Sequence, residues 1–419
     1  MAAKGLSKLS QKKVKKRARE KVRKRGGHGL TNKVIDLLPF ELHLPGYQFN
    51  SLQYTSLVCN LPFVGGPQLI HNAQTEYLTK IAPQVKDLFK VCTWRAAQVD
   101  CEEVFTPIIN HHGNCFTFNS LAAEQLFTSQ AVQKLSSSGK LSRNWDPEGG
   151  YEVSDDRKET YPRRSSAGLL AGLYISLRSE IESEGDPNCR VPMEGFKVML
   201  HNPAVFPQVR QPFFQIPSKR QVMVWVKPEM METDDHLRSY SPADRRCYFQ
   251  KERILRYFNV YTQESCELEC ISNYTMKKCG CVMFYMPRSS DMPVCGSTKT
   301  QCVVKGLIQH HTEHDGHCQC LPSCTEIKYG MQMSQAKYKW EQADRLYKIP
   351  GSLAVAFQDT EIISSKRGEL YGAADFVANC GGLLGLFLGF SILSLVEIIY
   401  FLTLRPCSNL IESSASKKI

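Results

Sequence analysis

Ten of this chain's seventeen cysteines are crowded between Cys247 and Cys324: Cys247, Cys266, Cys270, Cys279, Cys281, Cys295, Cys302, Cys318, Cys320 and Cys324. Such density points to a disulfide framework and an oxidising compartment. Zinc is the competing chemistry, but structural zinc sites favour cysteine pairs with about two to four residues between them. Here Cys279-Gly280-Cys281 and Cys318-Gln319-Cys320 leave a single residue between partners, so disulfides are the better reading. Within the same stretch, Asn273-Tyr274-Thr275 is a glycosylation sequon, in keeping with extracellular exposure. His310, His311, His314 and His317 lie between Cys302 and Cys318. They could bind zinc or sense protons, although a flexible polar loop is the simpler account.

The second constraint is the apolar stretch from Phe376 to Leu404, FVANCGGLLGLFLGFSILSLVEIIYFLTL, whose only charge is Glu397. A helix of about 20 apolar residues crosses a bilayer, so this segment is long enough to span with tilt. Gly381, Gly385 and Gly389 recur every four residues on one helical face, and Ser391, Ser394 and Glu397 continue a polar theme. Small residues permit close helix packing, and polar groups inside a membrane usually face a bundle interior or a watery path. A single-pass anchor is the plainer alternative. No other apolar stretch of spanning length occurs in the chain.

The formal net charge of +11 is a local property. Twelve Lys/Arg and one acid, Glu20, lie between Lys4 and Arg25, and the rest of the chain is neutral. That distribution argues against a nucleic-acid-binding domain. The run KKVKKRAREKVRKR could be a nuclear signal, an RNA-binding arm or a patch for anionic lipid, and a solvated disordered tail is preferred. No apolar h-region follows it, so it does not read as a signal peptide.

Residues 1–25 are expected to form this basic tail, 26–49 a separate short unit, 50–375 an extracellular domain, 376–404 the membrane helix and 405–419 a short tail. Arg405, directly after the apolar stretch, suggests that this end is cytoplasmic. The domain alternates β-like runs, such as 222–226 and 115–118, with polar turns; 167–180, 243–258 and 335–347 carry helical patterns. The expected fold class is therefore α+β, with a disulfide-rich β-sheet ectodomain preceding one transmembrane helix.

Four passages carry a family resemblance. They are Cys92-Thr93-Trp94 through Cys101 with HHGNCFTFN ending at Asn119; YTQESCELECISNYTMKKCGCVMFYMPR over 261–288; CQCLPSCTEIKY over 318–329; and GGLLGLFLGFSILSLVE over 381–397. In this order they resemble the degenerin/epithelial sodium channel family, and within it the insect pickpocket proteins. The resemblance implies a subunit of a stimulus- or ligand-gated, amiloride-sensitive-type sodium channel in the plasma membrane. It further implies a homo- or heterotrimer with other subunits of the family, two membrane helices per subunit and a helical thumb over about 240–350. Sodium ions and membrane lipid are the implied partners; nucleic acid, enzymatic activity, cofactor and metal are not expected.

The same resemblance implies a nested ladder of Cys247–Cys324, Cys266–Cys320, Cys270–Cys318, Cys279–Cys302 and Cys281–Cys295, with Cys92–Cys101 and Cys59–Cys115 nearer the start. Cys189 is left over, and Cys380 and Cys407 are expected as free thiols. Gly389-Phe390-Ser391 matches the family's G-x-S selectivity filter, with a bulkier middle residue than usual. Ala378 matches its gate, and Asp375 and Glu397 would form acidic rings that attract cations. Asp375 could equally be a first-turn acid of its helix.

The family's first membrane helix has no counterpart here. In its place, LPFELHLPGYQF within 26–49 resembles the opening of a phospholipase A2-like domain of parvovirus coat proteins. An enzyme of that kind needs a calcium loop and a helical His-Asp dyad, and Glu313-His314-Asp315 lies far away inside the cysteine ladder. The expectation is a channel subunit joined to a foreign piece near residue 50, with a truncated, non-conducting or regulatory subunit as the alternative.

Overall fold

The chain divides into two units, Met1–Phe49 and Asn50–Ile419. In the computed structural model the described residues are 57–58, 68–70, 78–80, 82–133, 141–142, 145–151, 161–178, 195–208, 212–312, 318–337, 351–389 and 391–416. The basic tail, the 26–49 fragment, Cys59, Cys189, His314, His317 and Phe390 lie outside them.

A seven-stranded sheet is built around Arg220–Thr233, fourteen residues long. Val222, Val224 and Val226 alternate with more exposed neighbours and are almost wholly buried, the period of a strand with one face on a core. This strand pairs antiparallel with Glu326–Lys337 along one edge. Its other edge pairs parallel with Gly351–Phe357 and then with Ser364–Arg367. The first of these pairings ends at Val226 and the second begins at Met230. Pro228 sits in the gap, and a proline has no N–H to donate. Leu173–Leu177, Phe89–Trp94 and Ala97–Val99 complete the sheet beyond Gly351–Phe357.

The hairpin Phe105–Asn110 and Gly113–Phe118 supplies a second layer of aromatic rings. Phe89 stacks on Phe105 at 4.2 Å and meets Phe116 edge-on at 5.7 Å, and Trp94 lies 5.3 Å from Phe118. A second hairpin pairs Phe196–Met199 with Phe213–Ile216.

The helix Gln263–Cys279 anchors the cysteine-rich unit. Thr262 caps its start by accepting from the Ser265 N–H, and Gly280 at φ 73° ends it in the left-handed conformation that glycine adopts without steric cost. The helix Thr300–Thr312 packs against it. All five expected ladder bridges form, with sequence separations of 77, 54, 48, 23 and 14 from the outermost inward, and Cys92–Cys101 forms as well. Cys380 and Cys407 are free, as expected.

The expected Cys59–Cys115 bridge is a correction. Cys115 carries a free, half-buried thiol that donates to Asn110 Oδ1 at 3.3 Å. Burial pushes its pKa up to about 11, while the Asn110 hydrogen bond acts in the opposite direction.

Three expected helices are also corrected. Among the described residues of 167–180, which end at 178, the only helical element is a 3₁₀ turn, Leu169–Ala171, before Leu173–Leu177 enters the sheet as a strand. Gly172 makes that entry possible: a Cβ there would stand 2.1 Å from the Val355 carbonyl oxygen. Helix over 243–258 stops at Arg245, because Arg246 turns left-handed at φ 57°. The buried Arg245 guanidinium donates to the carbonyls of Leu237, Tyr240 and Cys247 and pairs with Glu252, replacing helix with a pinned loop. Of 335–347, Gln335–Lys337 belong to a strand opposite Val222–Arg220, and the rest lies outside the described residues.

Glu269, on the helix, accepts from the backbone N–H groups of Arg256 at 3.0 Å and Tyr257 at 2.9 Å. Glu269→Ala removes both charge-assisted bonds and leaves the Tyr257 N–H unpaired, a loss of about 2 kcal/mol. The expected outcome is a Tm lower by about 2–4 °C; an unchanged melt would show that the carboxylate contributes nothing. For Cys115, alkylation at pH 7.4 should be much slower than at the exposed Cys407. Its rate should rise about tenfold per pH unit as the thiolate fraction grows toward pH 11. Mass mapping under non-reducing conditions measures both rates, and finding Cys115 in a disulfide would refute the free thiol.

Candidate functional site

The sheet leads into the apolar segment through Ser364–Arg367. This strand is held by Met230–Thr233 along its length and by side chains at its ends. Lys366 Nζ lies 2.8 Å from Asp234 Oδ2, and the Asp234 N–H donates to the Arg367 carbonyl at 2.9 Å. The lysine holds the Asp234 carboxyl below its ordinary range, and the aspartate raises the Lys366 ammonium in return. Arg367 reaches the Arg245 carbonyl at 3.4 Å. Thr233 Oγ1 donates to the Cys324 carbonyl at 2.7 Å. The outermost disulfide and the strand entering the apolar segment therefore share one hydrogen-bonded block.

The expected single helix over 376–404 is corrected by the structure. It is two helices, Ala373–Leu388 and Ile392–Ile399, followed by a π-helical turn Tyr400–Leu404 and the helix Arg405–Ser416. Among the described residues no single helix is long and apolar enough to cross a membrane. The bent pair 374–388 and 392–410 meets that test by length and composition, with 84° between its arms.

The break has a local cause. Gly389 takes φ 62° and donates its N–H to the Gly385 carbonyl at 3.1 Å, closing the first helix. Ser391 is extended and caps the second helix, its Oγ accepting from the Ser394 N–H at 3.3 Å and lying 3.2 Å from Ser394 Oγ. A left-handed glycine followed two residues later by a serine cap is a stop-and-restart signal that the hydrophobic run conceals. The carbonyls at the end of the first helix and the N–H groups at the start of the second lose their continuing ladder there.

Asp375 occupies the first turn of Ala373–Leu388, where its Oδ2 accepts from the Gly372 N–H at 3.2 Å. Ala378 follows one turn later on the same face, and Glu397 lies near the end of Ile392–Ile399. All three are exposed. So are the large apolar side chains along the segment, including Phe376, Leu386, Leu388, Ile392 and Leu402. A continuous apolar surface of this kind is suited to lipid or to neighbouring helices. Asn273 is exposed on the helix Gln263–Cys279, with the sequon's Thr275 buried beneath it.

The histidine-rich loop is another correction, because His310 and His311 belong to the helix Thr300–Thr312. His310 Nε2 lies 3.2 Å from Cys318 Sγ, and the ligating atoms of Cys270, His310 and Cys318 fall within 4.8 Å of one another. Both sulfurs are engaged in the Cys270–Cys318 bond and are not thiolates, the form in which cysteine binds metal.

The family model described as "Amiloride-sensitive sodium channel" matches residues 11–401. Among curated proteins, Pickpocket protein 28 of Drosophila melanogaster is 30% identical over 355 residues, covering 78% of this chain and 58% of the relative. Sodium channel protein Nach of the same species is 24% identical over 336 residues, covering 78% and 59%. Acid-sensing ion channel 2 of Homo sapiens is 22% identical over 336 residues, covering 77% and 58%. The chain spans less than two thirds of the length of these relatives. The match over almost all of the sequence, the disulfide-rich sheet-and-helix domain and the apolar segment that follows it place this chain in the amiloride-sensitive sodium channel family, a family of ion channels and not of enzymes.

Proposed function

We propose that the chain is a subunit of a sodium-conducting channel of the plasma membrane, and that the break at Gly389–Ser391 lines its selective constriction. The observation that carries this reading is the interruption of an apolar helix by a left-handed glycine and a capping serine. Non-helical backbone at membrane depth is tolerated where it borders a water-filled space. Such a break offers carbonyl and hydroxyl oxygens that can replace part of an ion's hydration shell.

In a trimer, three copies of Asp375 and of Glu397 would raise the local cation concentration at either side of the constriction. Ala378, small and one turn inside the first helix, is suited to a gate that closes by helix approach. The hydrogen-bonded block joining Cys324, Thr233 and Arg367 supports transmission of a stimulus from the extracellular domain to that gate. The ectodomain would lie outside the cell, with a glycan on Asn273.

The reading is tested by voltage clamp of cells expressing the chain, alone and together with another subunit of the family. Inward current should require extracellular sodium and be blocked by amiloride. Gly389→Leu should lower it roughly tenfold or more at unchanged surface expression, because an L-residue with a branched side chain resists the left-handed conformation. Ala378→Phe should hold the gate open and raise standing current. Full sodium current through G389L would reject the constriction. Absence of current in every combination, with the chain at the surface, would favour a regulatory subunit.

A further inference from the structure

A cavity of about 630 Å³ lies within the sheet domain. Its walls include residues of the strands Phe89–Trp94, Phe105–Asn110, Gly113–Phe118, Leu173–Leu177, Phe196–Met199, Phe213–Ile216 and Gly351–Phe357. Native interiors are close-packed, so an apolar recess this large, open to the surface beside the exposed Lys197 and Phe213, calls for an explanation. Apolar walls hold water poorly, and the volume falls within the range of about 300–1,000 Å³ typical of small-molecule sites.

The lining specifies the chemistry. Most of it is aromatic or aliphatic, including Phe89, Trp94, Phe116, Phe118 and Phe196. Two charged side chains reach the wall among its described residues, and both are cations. Arg163 lies 5.7 Å from the Phe118 ring centre, and Lys197 lies 5.0 Å from that of Phe213. No carboxylate belongs to the described lining. Asn114, also on the wall, has its amide oxygen buried without a hydrogen-bond partner in the structure. An amide in that state can turn either its oxygen or its NH₂ toward a guest.

We propose that this cavity is a binding site for a monoanionic amphiphile, a carboxylate on a medium or long hydrocarbon chain. The apolar body occupies the aromatic chamber, and the carboxylate meets Lys197 and Arg163. The site is distinct from the Gly389–Ser391 break and does not depend on whether the chain conducts.

The test uses the full chain in phosphatidylcholine nanodiscs, with photoactivatable dodecanoate and dodecanol as probes and peptide mapping as readout. The carboxylate should label the cavity strands, Gly113–Phe118 and Phe196–Met199 among them, and excess unlabelled dodecanoate should suppress that labelling. Val198→Trp, which fills space at the wall, should lower it at least fivefold. Lys197→Glu, at an exposed position that spares the core, should lower carboxylate labelling about fivefold and leave dodecanol labelling unchanged. Labelling confined to the apolar helices after Ala373 would overturn the proposal. So would equal labelling by acid and alcohol in both wild type and K197E.

Discussion

The Cys247–Cys324 bridge closes the largest covalent loop in the cysteine-rich unit, and it does so beside the strand that holds the domain together. Everything from the helix Gln263–Cys279 to the helix Thr300–Thr312 hangs inside that loop. The unit buries its own small cluster, with Ile271, Val282, Met283, Met286 and Val303 packed around the bridges, and covalent closure adds to that burial. The entropy removed from the unfolded chain by a loop of this length corresponds to about 4 kcal/mol in the loop-closure treatment. The inner bridges act on a chain already shortened by the outer one, and their effects do not simply add. Arg245 completes the anchorage, because its buried guanidinium gathers the carbonyls of Leu237, Tyr240 and Cys247 itself.

From this anchor, Thr233 donates to the Cys324 carbonyl, and the adjacent strand Ser364–Arg367 continues toward the apolar helices. The functional reading therefore rests on two unlike kinds of order. Above, disulfides and buried hydrogen bonds produce a block with few ways to deform. Below, helices joined at a glycine and a serine present apolar side chains over nearly their whole surface. Such a surface is suited to neighbouring helices or to lipid.

The covalent scheme was legible in the sequence, since cysteine spacing together with the family resemblance anticipated six bridges that form. Cys115 was not, because its alternative, a hydrogen bond to Asn110 across a hairpin, leaves no mark in spacing. The strands at 222–226 and 115–118 were legible from their alternation. The helical pattern at 167–180 misled because Leu and Ile fit either period, and the close approach permitted by Gly172 decided for the sheet. The apolar run was legible as membrane-suited, yet its break was not: hydropathy averages over Gly389 and Ser391, while backbone capping depends on those two residues alone. The cavity left no sequence signal, since its walls are ordinary residues drawn from many separate strands and loops.

Pro228 divides the long strand Arg220–Thr233 into an upper part paired with Gly351–Phe357 and a lower part paired with Ser364–Arg367. At about 3.3 Å per residue the strand is a rod some 45 Å long. Along its axis such a rod is stiff. Sideways, it is weakest where one edge lacks a partner, which is at the proline. A push along the strand would therefore travel its full length with little loss, whereas a transverse load would be absorbed by bending at Pro228. The fold would thus respond differently to a load along this strand and to one across it.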